Sequence, residues 1–271
     1  MQLNRISERI EKNKAAGAGS LLPYLTSGFP SARVTAELIR RANALGVAAV
    51  EIGEPYSDSI ADGPVIQQSF HAALEAGHTL DRTFELVSQV RPAVECALIS
   101  MTSFSIVHRY GLDAFMERAC EAGFDGVILP DVPVEEAAPS CEAAERVGLC
   151  HIGLVAPTTS TQRREAIAKN STGFVYQIAT AGTTGERNDL SETIAQQVHA
   201  VRQFTSIPVC VGFGVSTAEH VRAVSRVADG AIVGSAIVRR MNDELQNGAS
   251  EDSIVETVVR FLSELMSGTR P

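Results

Sequence analysis

The chain has 271 residues, 45% of them hydrophobic, and a formal net charge of −9 at neutral pH. That length holds one large α/β domain or two small ones, and an acid excess with no basic patch to offset it argues against nucleic acid as a partner. No apolar run is long enough to span a membrane, residues 1–14 are too polar for a secretory leader, and the dispersed Cys96, Cys120, Cys141, Cys150 and Cys210 read as reduced thiols of a cytoplasmic protein rather than a disulfide frame or zinc site.

Short apolar runs alternate with amphipathic stretches along the whole chain. Residues 21–26 precede a helical pattern at 33–45, and 49–52 precede a long loop followed by helical patterns at 65–75 and 80–90. Then 96–101 precedes 112–122, 126–129 precedes 134–147, and 151–155 precedes 161–169. Finally 174–178 precedes 190–204, 209–212 precedes 218–227, and 230–233 precedes helical patterns ending near residue 266. The runs are apolar throughout, as parallel strands covered on both faces are. The helical stretches keep a polar face, with Arg40, Arg41 and Asn43 beside Leu38, Ile39 and Leu45. Eight strand–helix units predict an α/β fold in a single domain over residues 1–271, a (β/α)8 TIM barrel. An open doubly wound sheet is the rival, but it usually carries G-x-G-x-x-G after the first strand, where this chain has Thr26-Ser27-Gly28-Phe29-Pro30. Residues 2–14 predict an extra N-terminal helix placed to plug the barrel bottom.

Barrel active sites lie at the C-terminal strand ends, and Glu51, Asp131 and Tyr176 fall at or near that level. Glu51 is followed by a Gly/Pro/Ser loop that ends in Ala61-Asp62-Gly63-Pro64. Two acids in different surroundings at one mouth suit proton transfer. Each residue also has a structural reading: Glu51 a satisfied strand-end acid, Asp62 a turn former, Asp131 a cap before a helix, and Tyr176 a barrel-filling aromatic. The glycines gather late, in Gly182-Thr183-Thr184-Gly185, Gly212-Phe213-Gly214 and Gly234-Ser235-Ala236. Barrels often bind phosphate on such loops through backbone N–H groups and a helix N-terminus. The lysines are Lys12, Lys14 and Lys169, none at a strand end, so a Schiff-base route has no amine. The histidines show no metal-ligand spacing, so no metal site is expected. Carbon–carbon cleavage in this barrel would have to run on acid–base catalysis.

Taken together these segments resemble the tryptophan synthase alpha subunit family, nearly end to end. The resemblance is carried by Val50-Glu51-Ile52-Gly53 with Ser57-Asp58 and Ala61-Asp62-Gly63-Pro64-Val65-Ile66-Gln67. Tyr24-Leu25-Thr26-Ser27-Gly28, Asp131-Val132-Pro133 and the three late glycine loops follow in the family's order. It implies retro-aldol cleavage of indole-3-glycerol phosphate to indole and glyceraldehyde 3-phosphate. Glu51 would protonate indole C3 and take the glycerol hydroxyl proton, Asp62 would accept from the indole N–H, and Tyr176 would border Glu51 and the substrate. Tyr24, Ile66, Ile128 and Phe213 would line the indole pocket. Gly185, Gly214, Gly234 and Ser235 would hold the phosphate, and Thr184 would also bind the substrate. The family needs no cofactor in this chain; pyridoxal phosphate belongs to a partner beta subunit, in an alpha2beta2 heterotetramer.

The chain departs from the family pattern at Ser59, where proline is common, at Ser105, where asparagine is common, and at Ala179, where serine is common. Two further readings stand beside the first. One is a catalytically weakened chain that binds and activates a beta subunit; the other is a lyase that works alone.

Overall fold

The computed structural model describes residues 4–59, 62–179, 187–212 and 214–270. Nine strand segments form one parallel sheet: β1 Ser20–Thr26, β2 Ala49–Gly53, β3 Ala97–Met101, β4 Gly126–Ile128, β5 Cys150–His151, β6 Leu154–Val155, β7 Val175–Ile178, β8 Val209–Gly212 and β9 Gly230–Val233. The sheet order is β5-β4-β3-β2-β1-β9-β8-β7-β6. Its two outer segments, β5 and β6, are consecutive in the chain, so the sheet closes on itself as a barrel. The predicted single strand at 151–155 is therefore one barrel stave broken at Ile152-Gly153. Both sides of the break stay paired, because Ile152 N donates to Val127 O and Tyr176 N to Gly153 O, each at 3.0 Å.

The helices are α1 Arg5–Ala15, α2 Ala32–Leu45, α3 Pro64–Glu75, α4 Leu80–Val90, α5 Phe104–Tyr110, α6 Leu112–Ala122, α7 Ala138–Val147, α8 Thr161–Asn170, α9 Arg187–Arg202, α10 Ala218–Ser225, α11 Ser235–Gln246 and α12 Glu251–Ser267. The first strand–helix unit shows why the chain turns where it does. Ser31 caps α2 by accepting from Val34 N, and Gly46 ends it in the left-handed conformation at φ 86°, a geometry that favours glycine. Two elements differ from the expected pattern. The helix expected at 134–147 is a 3-10 turn, Val134–Glu136, followed by α7 with Pro139 in its first turn; proline fits a helix start but not its interior. Helix α5 lies in a segment that carried no helical pattern. It spans only seven residues, too few to show a period.

The buried side chains fall into two clusters. The larger lies between the strands and the surrounding helices. The smaller fills the barrel, with Leu22, Ala49, Ile99, Ile128, Cys150, Ile152, Cys210 and Ile232. Ile6 and Ile10 of α1 join the inner cluster, both fully buried, and a β-carbon at Gly126 would stand 2.9 Å from Ile6 Cδ1. The N-terminal helix therefore does close the barrel floor, and the open end is the one where the strands finish. Among the described residues no helix is long and apolar enough to cross a membrane, and all five cysteines are free thiols.

Candidate active site

Strand alternation decides which way each carboxylate points. Ala49, Glu51 and Gly53 of β2 face the barrel interior, while Ile52 and Glu54 face outward. Glu51 is 1% exposed, and its Oε1 has no hydrogen-bond partner among the described residues. Burial pushes its carboxyl up to about 8. Glu51 is thus a proton donor at neutral pH, set in an apolar wall beneath the open end of the barrel.

Two tyrosines share that wall. Tyr24 on β1 is in register with Glu51 and leans over the next strand, so that a β-carbon at Gly53 would overlap its hydroxyl. Burial raises its phenol well above the ordinary value, and the charges of Asp62 and Glu51 add to this. Tyr176 on β7 leans in the same manner over Gly212 of β8. Its phenol is also raised, by burial first and then by Glu51. Both rings stay neutral, and both feel Glu51.

Asp62 comes from the loop between β2 and α3. Its Oδ2 accepts a hydrogen bond from the Tyr56 hydroxyl at 3.3 Å. Burial raises the Asp62 carboxyl and the Tyr56 bond lowers it, with burial the larger effect. The backbone around it is clamped. Asp62 N donates to Ser59 O at 3.1 Å, and the Gln67 side-chain amide donates to the carbonyls of Ser59 and Asp62, each at 2.9 Å. Pro64 in the first turn of α3 sets the backbone angle at which the loop enters the helix. Ser59, where a proline would stiffen the loop, is thus tied down by Gln67 instead.

Ile66 on α3 and Ile128 at the end of β4 are buried, and Ile128 belongs to the inner cluster with Tyr176 packed against it. Gly214 follows β8 with φ 75°. Gly234 follows β9 and begins α11 with no side-chain cap, and Ser235 is the first helical residue. Strands β8 and β9 are neighbours, so both glycines stand at the open end. The uncapped first turn of α11 leaves backbone N–H groups free for an anion. Thr184, Gly185 and Phe213 lie outside the described residues. Asp131 has a cap role, but for a different helix than expected: its carboxylate accepts from Phe104 N at 2.8 Å and from Ser103 Oγ at 2.6 Å, fixing the start of α5. Ser105 joins this group through Ser103 Oγ at 2.8 Å. Ala179 N extends the β7–β8 ladder to Gly212 O at 2.9 Å.

Among the described residues no lysine amine approaches the mouth. Lys12 and Lys14 are on α1 at the barrel floor, and Lys169 pairs with Glu165 on the outside of α8. Among the described residues no group of His, Cys, Asp and Glu could hold a metal ion.

Residues 10–267 match the family model described as tryptophan synthase alpha chain. The chain belongs to the tryptophan synthase alpha chain family. It is similar to the alpha chain of Synechococcus sp. (strain CC9902), 42% identical over 97% of both chains, and to that of Alkaliphilus metalliredigens, 34% identical over 97% of both. Among solved structures it is similar to tryptophan synthase subunit alpha from Legionella pneumophila, with a TM-score of 0.89 at 31% identity, covering 98% of each chain. It is also similar to tryptophan synthase from M. tuberculosis, with a TM-score of 0.88 at 30% identity over the full length of both chains.

Three contributors to this alpha-chain mouth were not visible as such in the sequence. Tyr56 and Gln67 act through a loop whose fold is set by tertiary contacts. Glu54 drew no attention in the sequence, yet it is 2% exposed and accepts from Ser100 Oγ at 2.6 Å. Its position three residues after Glu51, just past the end of β2 and on the opposite face, was the available signal.

Proposed function

We propose that this chain cleaves indole-3-glycerol phosphate to indole and glyceraldehyde 3-phosphate by acid–base catalysis, with residues 1–271 acting as one barrel domain. The observation that carries the reading is Glu51, a buried carboxyl that holds its proton to about pH 8 at the mouth it shares with Asp62. The protonated Glu51 gives its proton to indole C3, while Asp62, as a carboxylate, accepts from the indole N–H and offsets the positive charge that develops on the ring. The Glu51 carboxylate then takes the proton of the glycerol hydroxyl. The carbon–carbon bond breaks, its electron pair restores the indole, the aldehyde forms, and Glu51 regains its starting proton.

Tyr176 borders Glu51 and shields it from water. Tyr24, Ile66 and Ile128, with Phe213, supply the apolar walls for the indole ring. Gly214, Gly234 and Ser235, with Thr184 and Gly185, receive the phosphate. Held at this end by backbone N–H groups, the substrate is oriented toward Glu51 before any bond changes. The chain works in the cytoplasm without a cofactor of its own, in an alpha2beta2 assembly whose beta subunit carries pyridoxal phosphate and consumes the indole.

The test is steady-state indole release from indole-3-glycerol phosphate, with and without a beta subunit, by the wild type and by Glu51→Gln. The expected loss in the variant is about 10²-fold or more, the range for removal of a general acid–base group, with the folded state retained. Normal release by Glu51→Gln overturns the assigned chemistry.

A further inference from the structure

Glu54 is a buried carboxyl that the proposed chemistry does not use. It stands at the exit of β2, where the loop to Asp62 begins, and its backbone N–H donates to Met101 O at 2.9 Å. Its side chain turns away from the barrel interior, toward the outer face of β3. There Ser100 Oγ donates to Oε1 at 2.6 Å, and the Thr102 hydroxyl also favours the ionised carboxyl, against the larger effect of burial. No charged residue contributes. Glu54 Oε2 and Thr102 Oγ1 are both fully buried, and neither has a hydrogen bond among the described residues. Thr102 itself is fixed to the next strand, its N–H donating to Ile128 O at 3.2 Å. The cluster therefore links the root of the Asp62 loop to β3, and β3 to the strand that carries Ile128 of the indole pocket.

A carboxyl and two hydroxyls in an apolar layer are costly to keep there unless they are bonded. An apolar side chain of similar size would fill the same space more stably. A packing role accounts for the volume of Glu54 but not for its polarity. A linking role accounts for both, since a directional bond fixes the loop root where a hydrophobic contact would let it slide. Glu51 sits three residues before Glu54, and Tyr56, the hydrogen-bond donor to Asp62, two residues after.

We infer that the Ser100–Glu54 hydrogen bond, with Thr102 packed beside it, is a positioning latch for the reaction, one that ties the root of the Asp62 loop to β3 and so sets Asp62 and its Tyr56 donor against Glu51. This inference rests on the reading that Glu51 and Asp62 do the chemistry. Glu54 does not touch the substrate; it acts through the loop.

The test compares Glu54→Gln and Glu54→Leu with the wild type in indole-3-glycerol phosphate turnover across pH. The amide keeps a hydrogen-bonding head of the same shape, whereas leucine keeps only the volume. Glu54→Gln is expected to stay within about twofold of wild-type kcat. Glu54→Leu is expected to lose tenfold or more in kcat with KM within twofold, and its acid limb should move to higher pH as Asp62 loses its hold on Tyr56. Should Glu54→Leu fail to fold, the double variant Ser100→Ala/Thr102→Val, which leaves Glu54 in place, is expected to show the same kcat loss and the same shift. A folded Glu54→Leu or Ser100→Ala/Thr102→Val enzyme with the wild-type kcat and pH profile overturns the latch. Because each comparison is with the wild-type rate, that result is distinct from Glu51→Gln retaining activity, which would overturn the catalytic assignment itself.

Discussion

The Tyr24 hydroxyl occupies the space above Gly53, so that a β-carbon at residue 53 would overlap the phenol. Glycine is needed there for close approach rather than for backbone freedom, and what approaches is one wall of the proposed indole pocket. Gly53→Ala must therefore move a ring that is 7% exposed and has little room to yield. Overpacking of this kind costs about 1–3 kcal/mol. The expected outcome is a lower melting temperature and a kcat/KM reduced by roughly tenfold or more. Adding Tyr24→Phe should recover part of the loss, since it removes the atom nearest to the new methyl. Strictly additive effects in that double variant would mean that the two residues do not meet.

Much of this architecture was legible in the sequence because parallel barrel strands carry a strong signature: runs such as Val209–Gly212 and Gly230–Val233 are apolar on both faces. The helices that pack outside them show a clear period. The parts that were not legible depend on contacts between distant segments. Helix α5 starts where Asp131, 27 residues further on, caps Phe104 N. The break in the fifth stave has Gly153 as its only local sign, and the close approach of Ser171 and Ile167 to that glycine comes from another segment. At the candidate site, Glu51 and Asp62 could be named as candidates from the chain, but the surroundings that set their ionisation could not. The raised Glu51 carboxyl follows from burial that only the closed barrel provides, and Asp62 depends on Tyr56 and Gln67, which reach it through the fold of the loop.

The rate of indole release should depend on pH at both ends. In the proposed chemistry protonated Glu51 gives its proton to C3, so kcat/KM is expected to fall on the alkaline side with a midpoint near 8, where burial has moved the carboxyl. The same proposal requires Asp62 ionised, so the rate should fall on the acid side at a pH above that of an ordinary aspartate, because burial raises it. Tyr56 donates to Asp62 and favours its charged form. Tyr56→Phe is therefore expected to move the acid limb to higher pH while leaving the alkaline limb in place. A pH–rate profile of kcat/KM for the two proteins checks this, and a shift confined to the alkaline limb would contradict the assignment of the two acids.

Phosphate binding at the start of α11 can be tested without weakening the helix. Ser235 is exposed and is the first helical residue, with no side-chain cap before it. An aspartate there is favourable to the helix dipole by about 0.3–1 kcal/mol, yet it places a negative charge where the substrate phosphate is proposed to bind. Ser235→Asp should keep or raise the melting temperature and raise KM for indole-3-glycerol phosphate by roughly tenfold or more. Thermal melts and initial rates on the same preparation separate these effects. An unchanged KM would place the phosphate elsewhere.

The buried Glu51 should also leave a mark on stability. In the unfolded chain a glutamate releases its proton near pH 4.3; in the folded protein Glu51 holds it to about 8. Between these values the folded state binds the extra proton, so stability falls as pH rises through the window and levels off above the folded value. Glu51→Gln has nothing to ionise at this position, and its stability loses this contribution to the slope. The variant is therefore expected to gain on the wild type as pH rises. The difference at pH 8.5 should exceed that at pH 5 by up to about 4 kcal/mol, since the window between pH 5 and the folded value of about 8 spans roughly three pH units and each is worth about 1.4 kcal/mol. Denaturant midpoints at the two pH values measure it. All other titrating groups are common to the two proteins, so the comparison isolates residue 51. A difference that does not change with pH would mean that Glu51 ionises as readily folded as unfolded, and that the barrel does not hold its proton for catalysis.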